Sequence, residues 1–445
     1  MNTNRCSLNV LLALIALAGH GVTARGESAR DQIGSIVREQ YASLEALYVS
    51  LHRAPELSLH EEKTAKVVAE ELRKLGYEVT ENVGGHGVVA VMRNGDGKTL
   101  LIRTDLDALP VKEQTGAEYA STVTTKHDAG QTVGVAHACG HDIHMTCLVG
   151  VARAMAELKS HWHGTLVLIG QPAEEIGTGA KAMLADGLFT RFPRPDFCLA
   201  LHVDAELSTG KIGYVSGYAM ANVDSVDVVI RGVGGHGAHP HDTKDPVVIA
   251  AQTIMALQTI DSREINPLEP VVVTVGSIHG GTKHNIIPDE VTMQLTVRTY
   301  KDDVREKALK AIERIVQGTA QAFGVPENRA PTVTVRDEFT PATYNSPELV
   351  DRVLVALRDG LGDDNVVKRE PVMGGEDFSR YGREEPKIPI FMFRLGCVAP
   401  DRVAESKKPG AAPLPTLHSP LFLPQRESIR TGVTAMTSAA LDLLK

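Results

Sequence analysis

Five short stretches carry side chains able to bind a cation or move a proton. The densest is VAHACGHDIHM, residues 135–145, which holds His137, Cys139, His141, Asp142 and His144. Thiolate and imidazole are the ligands that borderline-soft cations such as zinc prefer. RTDLDALP carries Asp105 and Asp107, GQPAEE carries Glu174 and Glu175, LALHV carries His202, and LPTLHSPLF carries His418. Singly, each is weak. A lone histidine at a strand end is more often a hydrogen-bonded structural group, an acidic pair is usually a solvated helix start, and Asp105 and Asp107 could be ordinary turn formers. Together they offer thiolate, imidazole and carboxylate to more than one ion. Adjacent carboxylates at a strand end point in different directions, so one can bind metal while the other faces water. A divalent cation lowers the pKa of a water it holds from about 15.7 to roughly 7. A neighbouring carboxylate then takes the water's proton and delivers it to a departing amine. The chemistry indicated is metal-assisted hydrolysis.

Such residues need a scaffold that brings them to one edge. From Arg30 to Leu51, Ile33, Ile36, Val37, Tyr41, Leu44 and Leu47 recur at helical spacing. HEEKTAKVVAEELRKLG reads as a second amphipathic helix ending at Gly76. GVVAVMRNGDGKTLLIRTDLDALP reads as two strands with a turn at Asn94-Gly95. HMTCLVGVARAMAEL reads as a helix, and GTLVLIGQP and FCLALHV as strands. Alternating strands and helices predict an α/β sheet covered on both faces. The ligand candidates fall at strand ends, where open α/β sheets place their sites. After Ser216 the order becomes βαββαβ, from DSVDVVIRG to APTVTVRDEF, a split βαβ unit of ferredoxin-like type. SPELVDRVLVALRDGL then returns to the first style. The expected division is a catalytic domain over 25–218 and 341–445, with a lid and dimerisation domain inserted over 219–340.

The first 24 residues read as a signal peptide: one positive charge in MNTNR, the apolar run LNVLLALIALAG, then Val22 and Ala24 as small residues before a cut. Cys6 precedes the apolar run, so it is not placed as a lipoprotein anchor. Export to the periplasm or beyond is the expectation, without a stable membrane anchor. The 445 residues, 43% hydrophobic, suffice for a large core. A formal net charge of −9 and the lack of a long basic run argue against a nucleic-acid partner. Beyond Cys139, only Cys147, Cys198 and Cys397 remain past the leader, too few to staple a chain of this length, and one disulfide stays open.

RTDLDALP, HACGHDIH, GQPAEE, GGHGAHPH, GGTKHNIIPDEV, GGEDF and LHSPLF occur in this order, with LHRAPELS near the start. This series resembles the amidohydrolase branch of the dinuclear-metal aminoacylase and carboxypeptidase family, which includes hippurate hydrolases, N-acyl-amino-acid amidohydrolases and auxin-conjugate hydrolases. The resemblance covers nearly the whole mature chain. It implies a mixed-sheet dinuclear metallohydrolase domain with a ferredoxin-like lid. It implies that Cys139 bridges two divalent metal ions and that His141, Glu175, His202 and His418 complete their ligands. Glu174 is implied as general base, and Asp107 as the carboxylate that orients a ligand histidine. His236 is implied to reach a partner subunit's active site, which makes a homodimer or higher homo-oligomer the expectation. Asn285 and Arg298 match positions that help hold substrate, whereas Glu376 and Asp377 match a motif without an assigned role. His137 and His144 read as structural or supporting, and His161 and His163 as solvent-facing.

The expected activity is hydrolysis of the amide bond of N-acyl amino acids. The nearest alternative is a metallocarboxypeptidase acting on short peptides. A catalytically silent binding protein of the same fold is a further alternative, against which the Glu174–Glu175 pair argues. By ligand softness zinc is the first choice of metal, with manganese, cobalt and nickel as alternatives.

Overall fold

Four parallel strands form the centre of a mixed eight-stranded sheet, in the spatial order Gly164–Gln171, Thr99–Asp105, Phe197–Ser208, Ile390–Val398. Strands covered on both faces must be apolar nearly throughout. Leu100 to Ile102 and Leu166 to Ile169 are accordingly buried. Antiparallel pairing extends one side through Val88–Asn94 and Glu78–Thr80. The other side continues through Ile212–Tyr214, with Val366–Lys368 parallel to it at the edge. The computed structural model describes residues 1–2, 29–126 and 130–445. The expected leader over 1–24 lies outside the described residues, apart from its first two positions.

Helices Ala29–Arg53, His141–Glu157, Pro347–Leu361 and Ser428–Leu443 share one large core with one face of the sheet. On the other face, helix Gly179–Ala185 and the segment Asp377–Arg383 close a second core. The helix expected from His144 begins three residues earlier, at His141. Gly140 explains the start. It adopts φ +80°, and a Cβ there would lie 2.6 Å from a Val203 methyl. Only glycine allows the left-handed turn and the close approach together. Cys139 and His141 are thereby held on either side of one tight turn.

Gly217–Met220 and Thr343–Asn345 pair as a short antiparallel ribbon. Between them lies a four-stranded antiparallel sheet, ordered Val271–His279, Glu290–Thr299, Asn222–Arg231, Thr332–Val335. Helices Pro246–Leu257 and Asp302–Ala322 pack on one face, which completes the βαββαβ sandwich. Asn222–Arg231 alternates strictly between buried and half-buried positions, as a sheet covered on one face requires. A separate two-stranded ribbon pairs His236 with Ile286.

Candidate metal centre and active site

Parallel strands end at Asp105 and Gln171, and His202 lies within a third. The segments that follow converge with the Gly140 turn. His141 donates Nδ1–H to the main-chain carbonyl of Asp107 at 2.8 Å. Its Nε2 is buried and has no hydrogen-bond partner. That nitrogen lies 3.7 Å from Glu175 Oε1 and 4.0 Å from Glu174 Oε2. His202 donates Nδ1–H to the Val203 carbonyl at 2.8 Å, which turns its Nε2 to within 3.5 Å of Cys139 Sγ. His418 Nε2 stands 3.5 Å from Glu175 Oε2. Donor atoms bound at 2.0–2.3 Å to a tetrahedral ion stand about 3.3–3.8 Å apart, which is the spacing seen here.

Two of the groups with ligand spacing share Cys139, namely Cys139 with His141 and His202, and Cys139 with Glu175 and His418, while His141 with Glu174 and Glu175 forms a further one. Cys139 belongs to both of the first two, the place of a bridging ligand. Another cluster, Asp105 with His141 and His144, is a different case. His144 donates from Nδ1 to Asp105 at 2.8 Å and accepts the Val203 N–H at Nε2 at 2.9 Å, so both its nitrogens are used. It supports the site and binds no ion.

The electrostatics point the same way. Burial and the nearby Glu175, Glu174 and Asp105 push the Cys139 thiol well above its ordinary range. Burial, opposed by His141 and reinforced by Asp107, brings Glu175 up to about 7. Burial, Glu376, Glu175 and Asp377 push Glu174 well up. Burial disfavours the charged form of His141, but Asp105, Asp107 and Glu175 outweigh it and raise the imidazole to about 10. Acidic groups that hold protons this tightly are short of positive charge, and divalent cations supply it. The orphaned Nε2 of His141 and Oε1 of Glu175 are donor atoms that such cations would engage. The residues present therefore fit two divalent metal ions.

Backbone strain fixes the geometry. Ala173 (φ +50°) and His418 (φ +67°) are both left-handed without being glycine, and each adjoins or supplies a site residue. Glu61 anchors the first by accepting the Ala173 N–H at 2.7 Å. Asp107 Oδ2 anchors the next turn, accepting Glu175 N–H at 3.0 Å and the Ser58 hydroxyl at 2.6 Å. Asp107 was expected to orient a histidine through its carboxylate. The shorter contact to His141 is the main-chain carbonyl, and the carboxylate faces the same nitrogen through Oδ1, since Ser58 and Glu175 engage only Oδ2. Its Oδ1 stays 3.5 Å from His141 Nδ1.

Glu376 and Asp377 acquire a role from Arg103, which sequence reasoning missed. Arg103 is fully buried and donates to Asp105 at 2.6 Å, Glu376 at 2.8 Å, Asp377 at 3.3 Å and Gln171 at 3.0 Å. Asp377 also accepts the Gln171 amide at 2.6 Å and Ala180 N–H at 2.9 Å. This network lies directly behind Glu174. A buried charge needs such partners, and losing one member of a buried ion pair typically costs about 3–5 kcal/mol.

The centre opens into a cleft of about 990 Å³, lined by Cys139, Glu174, Glu175, His202 and His418 on one side and by lid residues such as Arg298 on the other. His236 and Asn285 do not line it; they sit on the separate ribbon, where Gly237 N–H donates to the Asn285 carbonyl at 2.9 Å. His236 is exposed. His137 is buried with both nitrogens unpaired, and His161 and His163 face solvent. Cys139, Cys147, Cys198 and Cys397 are free, buried thiols, so no disulfide joins them.

Residues 101–411 match the model of peptidase family M20/M25/M40. Thermostable carboxypeptidase 2 of Saccharolobus solfataricus is 39% identical over 79% of this chain and 86% of its own length. Hippurate hydrolase of Campylobacter jejuni is 37% identical over 74% of this chain and 82% of its own. The structure superposes with TM-score 0.74 on a dinuclear metal binding peptidase of the M20 family from Bacillus subtilis, 28% identical, covering 92% of this chain and 99% of that one.

Proposed function

Because the chain belongs to peptidase family M20/M25/M40 and is a metal-dependent hydrolase of its amidohydrolase and carboxypeptidase kind, we propose that it cleaves the amide bond between an acyl group and an α-amino acid whose carboxylate is free. One observation carries the reading. Arg298, which forms no ion pair with a carboxylate among the described residues, faces the same cleft as Glu174, Cys139, Glu175, His202 and His418. Its Nε donates only to Thr296 Oγ1, at 3.0 Å. The names of the Saccharolobus and Campylobacter relatives, a carboxypeptidase and a hippurate hydrolase, support it. Cleavage of short peptides at their C-terminus is the second reading, favoured by the first of those names.

Two divalent cations, zinc by preference with manganese, cobalt or nickel as alternatives, supply when bound the positive charge that acidifies water and polarises a carbonyl. The Glu174 carboxylate takes one proton from the attacking water as its oxygen bonds to the scissile carbon. The same oxygen of Glu174 then returns that proton to the nitrogen as the C–N bond breaks. Arg298 fixes the substrate's carboxylate. The expected test compares an N-acyl amino acid with its C-terminal amide. The amide should lose at least about tenfold in kcat/KM, or about 1.4 kcal/mol. Equal rates would point to a general amidase and remove Arg298 from substrate binding.

His236 of the partner subunit is proposed to complete each site by donating to the developing oxyanion, with Asn285 beside it. Support for pairing through the lid comes from its surface. Val247, Val248 and Met255 are exposed on helix Pro246–Leu257, and Val271–His279 is an edge strand bearing exposed Ile278. Mixed dimers of His236→Ala and Glu174→Gln chains should regain up to about half the wild-type activity per dimer, since one composite site is intact. No recovery in exchanged heterodimers would confine His236 to its own chain or remove it from catalysis.

Export is proposed from the charged start, apolar run and small residues of the leader. Intact mass of the protein from its native host should give a chain beginning near Arg25. A soluble form retaining Met1 would contradict it.

A further inference from the structure

Arg394 is the cation that neither the ligand set nor the buried network uses. It lies on Ile390–Val398, in register with His202 on the neighbouring parallel strand. Side chains along a strand alternate between faces. Phe393 and Leu395 enter the core beneath the large helices, so Arg394 points the other way, and it lines the cleft with Cys139 and His202. Among the described residues, nothing accepts a hydrogen bond from its guanidinium and no carboxylate forms an ion pair with it. The contrast with its neighbours is sharp. Arg103 holds three carboxylates. Arg369, also on the cleft wall, is bound to Asp204 at 3.1 Å and Glu206 at 3.3 Å. The carboxylates that act on its charge, Asp204 and Glu376, are held by Arg369 and Arg103 and form no ion pair with it. Half-buried beside the reacting centre, its guanidinium is left able to pair directly with an anion that a ligand brings.

The substrate's α-carboxylate is already assigned to Arg298, on the lid side of the same cleft. We propose that Arg394 binds a second carboxylate of the substrate, so that the preferred substrates are dianionic N-acyl amino acids. The second carboxylate belongs either to an acidic amino-acid side chain or to a dicarboxylic acyl group. Either fits the chemistry of a free guanidinium, which pairs two N–H groups with two carboxylate oxygens. The assignment makes Arg394 a specificity-determining residue and rests on the amide-cleaving reading given above.

Two substrate pairs test it on the metal-loaded full-length enzyme, each differing only in the second carboxylate. N-acetylglutamate against N-acetylglutamine probes the side chain. N-succinylalanine against N-succinamoylalanine probes the acyl end. Wild type is expected to favour the acid in one pair by at least about tenfold in kcat/KM. Arg394→Met should reduce that preference to within about twofold, keep its metal, and still distinguish the α-carboxylate from its amide. Arg394→Lys should restore part of the preference. Binding of the same four compounds to the metal-loaded Glu174→Gln enzyme, with and without Arg394→Met, gives a readout independent of turnover. Hydrolysis without preference in either pair, or a preference that survives Arg394→Met, overturns the assignment and leaves the proposed reaction standing. Absence of hydrolysis with acid-selective binding lost in Arg394→Met keeps Arg394 and removes the reaction. Loss of metal from Arg394→Met would make it a support of the metal centre and overturn the assignment, as would neither binding nor turnover of any compound.

Discussion

Glu174→Gln is expected to retain its metal and lose turnover by about 10²–10⁴-fold, the usual contribution of a general acid–base group. The substitution keeps the shape of the side chain and removes its ability to take a proton. The five candidate ligands, Cys139, His141, Glu175, His202 and His418, are untouched. Glu174 Oε2 lies 4.0 Å from His141 Nε2, at the margin of the ligand cluster. Glu175 behaves differently because both its oxygens face ligand histidines, Oε1 toward His141 at 3.7 Å and Oε2 toward His418 at 3.5 Å. Its change to Gln should weaken metal binding first. Metal content and kcat measured on the same samples separate the two roles. Normal turnover by metal-loaded Glu174→Gln would refute the proton-transfer scheme.

Cys139→Ala is expected to lose metal and activity together. Cys139 is common to both ligand groups, so one substitution removes a ligand from each. Outer-shell changes around metal sites already cost about 10–100-fold in affinity, and loss of the shared thiolate should exceed that. Cys147→Ala is the internal control. Cys147 is fully buried in helix His141–Glu157, with its sulfur against Gly432 and the Ile429 carbonyl. It packs and does not reach the cleft, so its metal content should match wild type. Equal metal binding by Cys139→Ala and wild type would remove the thiolate from the centre.

The candidate ligands that the structure brings together were legible in the sequence because each lies in a short motif whose chemistry is local. The sheet and lid were legible because their periodicities are strong, down to the βαββαβ order. What escaped was non-local. Glu376 and Asp377 had no readable role because their partner, Arg103, lies 273 residues from Glu376 and looks like one arginine in an apolar strand. Arg394 escaped for the same reason, within FMFRLG. Glu61 reads as a helix-start acid, yet its carboxylate holds the strained Ala173 turn. Residue spacing also cannot say which atom of a residue acts, and so the main-chain carbonyl of Asp107 was hidden behind its side chain. His144 shows the converse: it shares the ligand motif but is excluded by hydrogen bonds at both nitrogens.

The metal centre itself is tested most directly by anomalous diffraction from crystals of metal-loaded Glu174→Gln enzyme, recorded at the absorption edge of the loaded metal. Two peaks are expected in the cleft, one among Cys139, His141 and His202 and one among Cys139, Glu175 and His418, with the Cys139 sulfur between them. A single peak, or peaks away from Cys139, would contradict a dinuclear centre bridged by that thiolate.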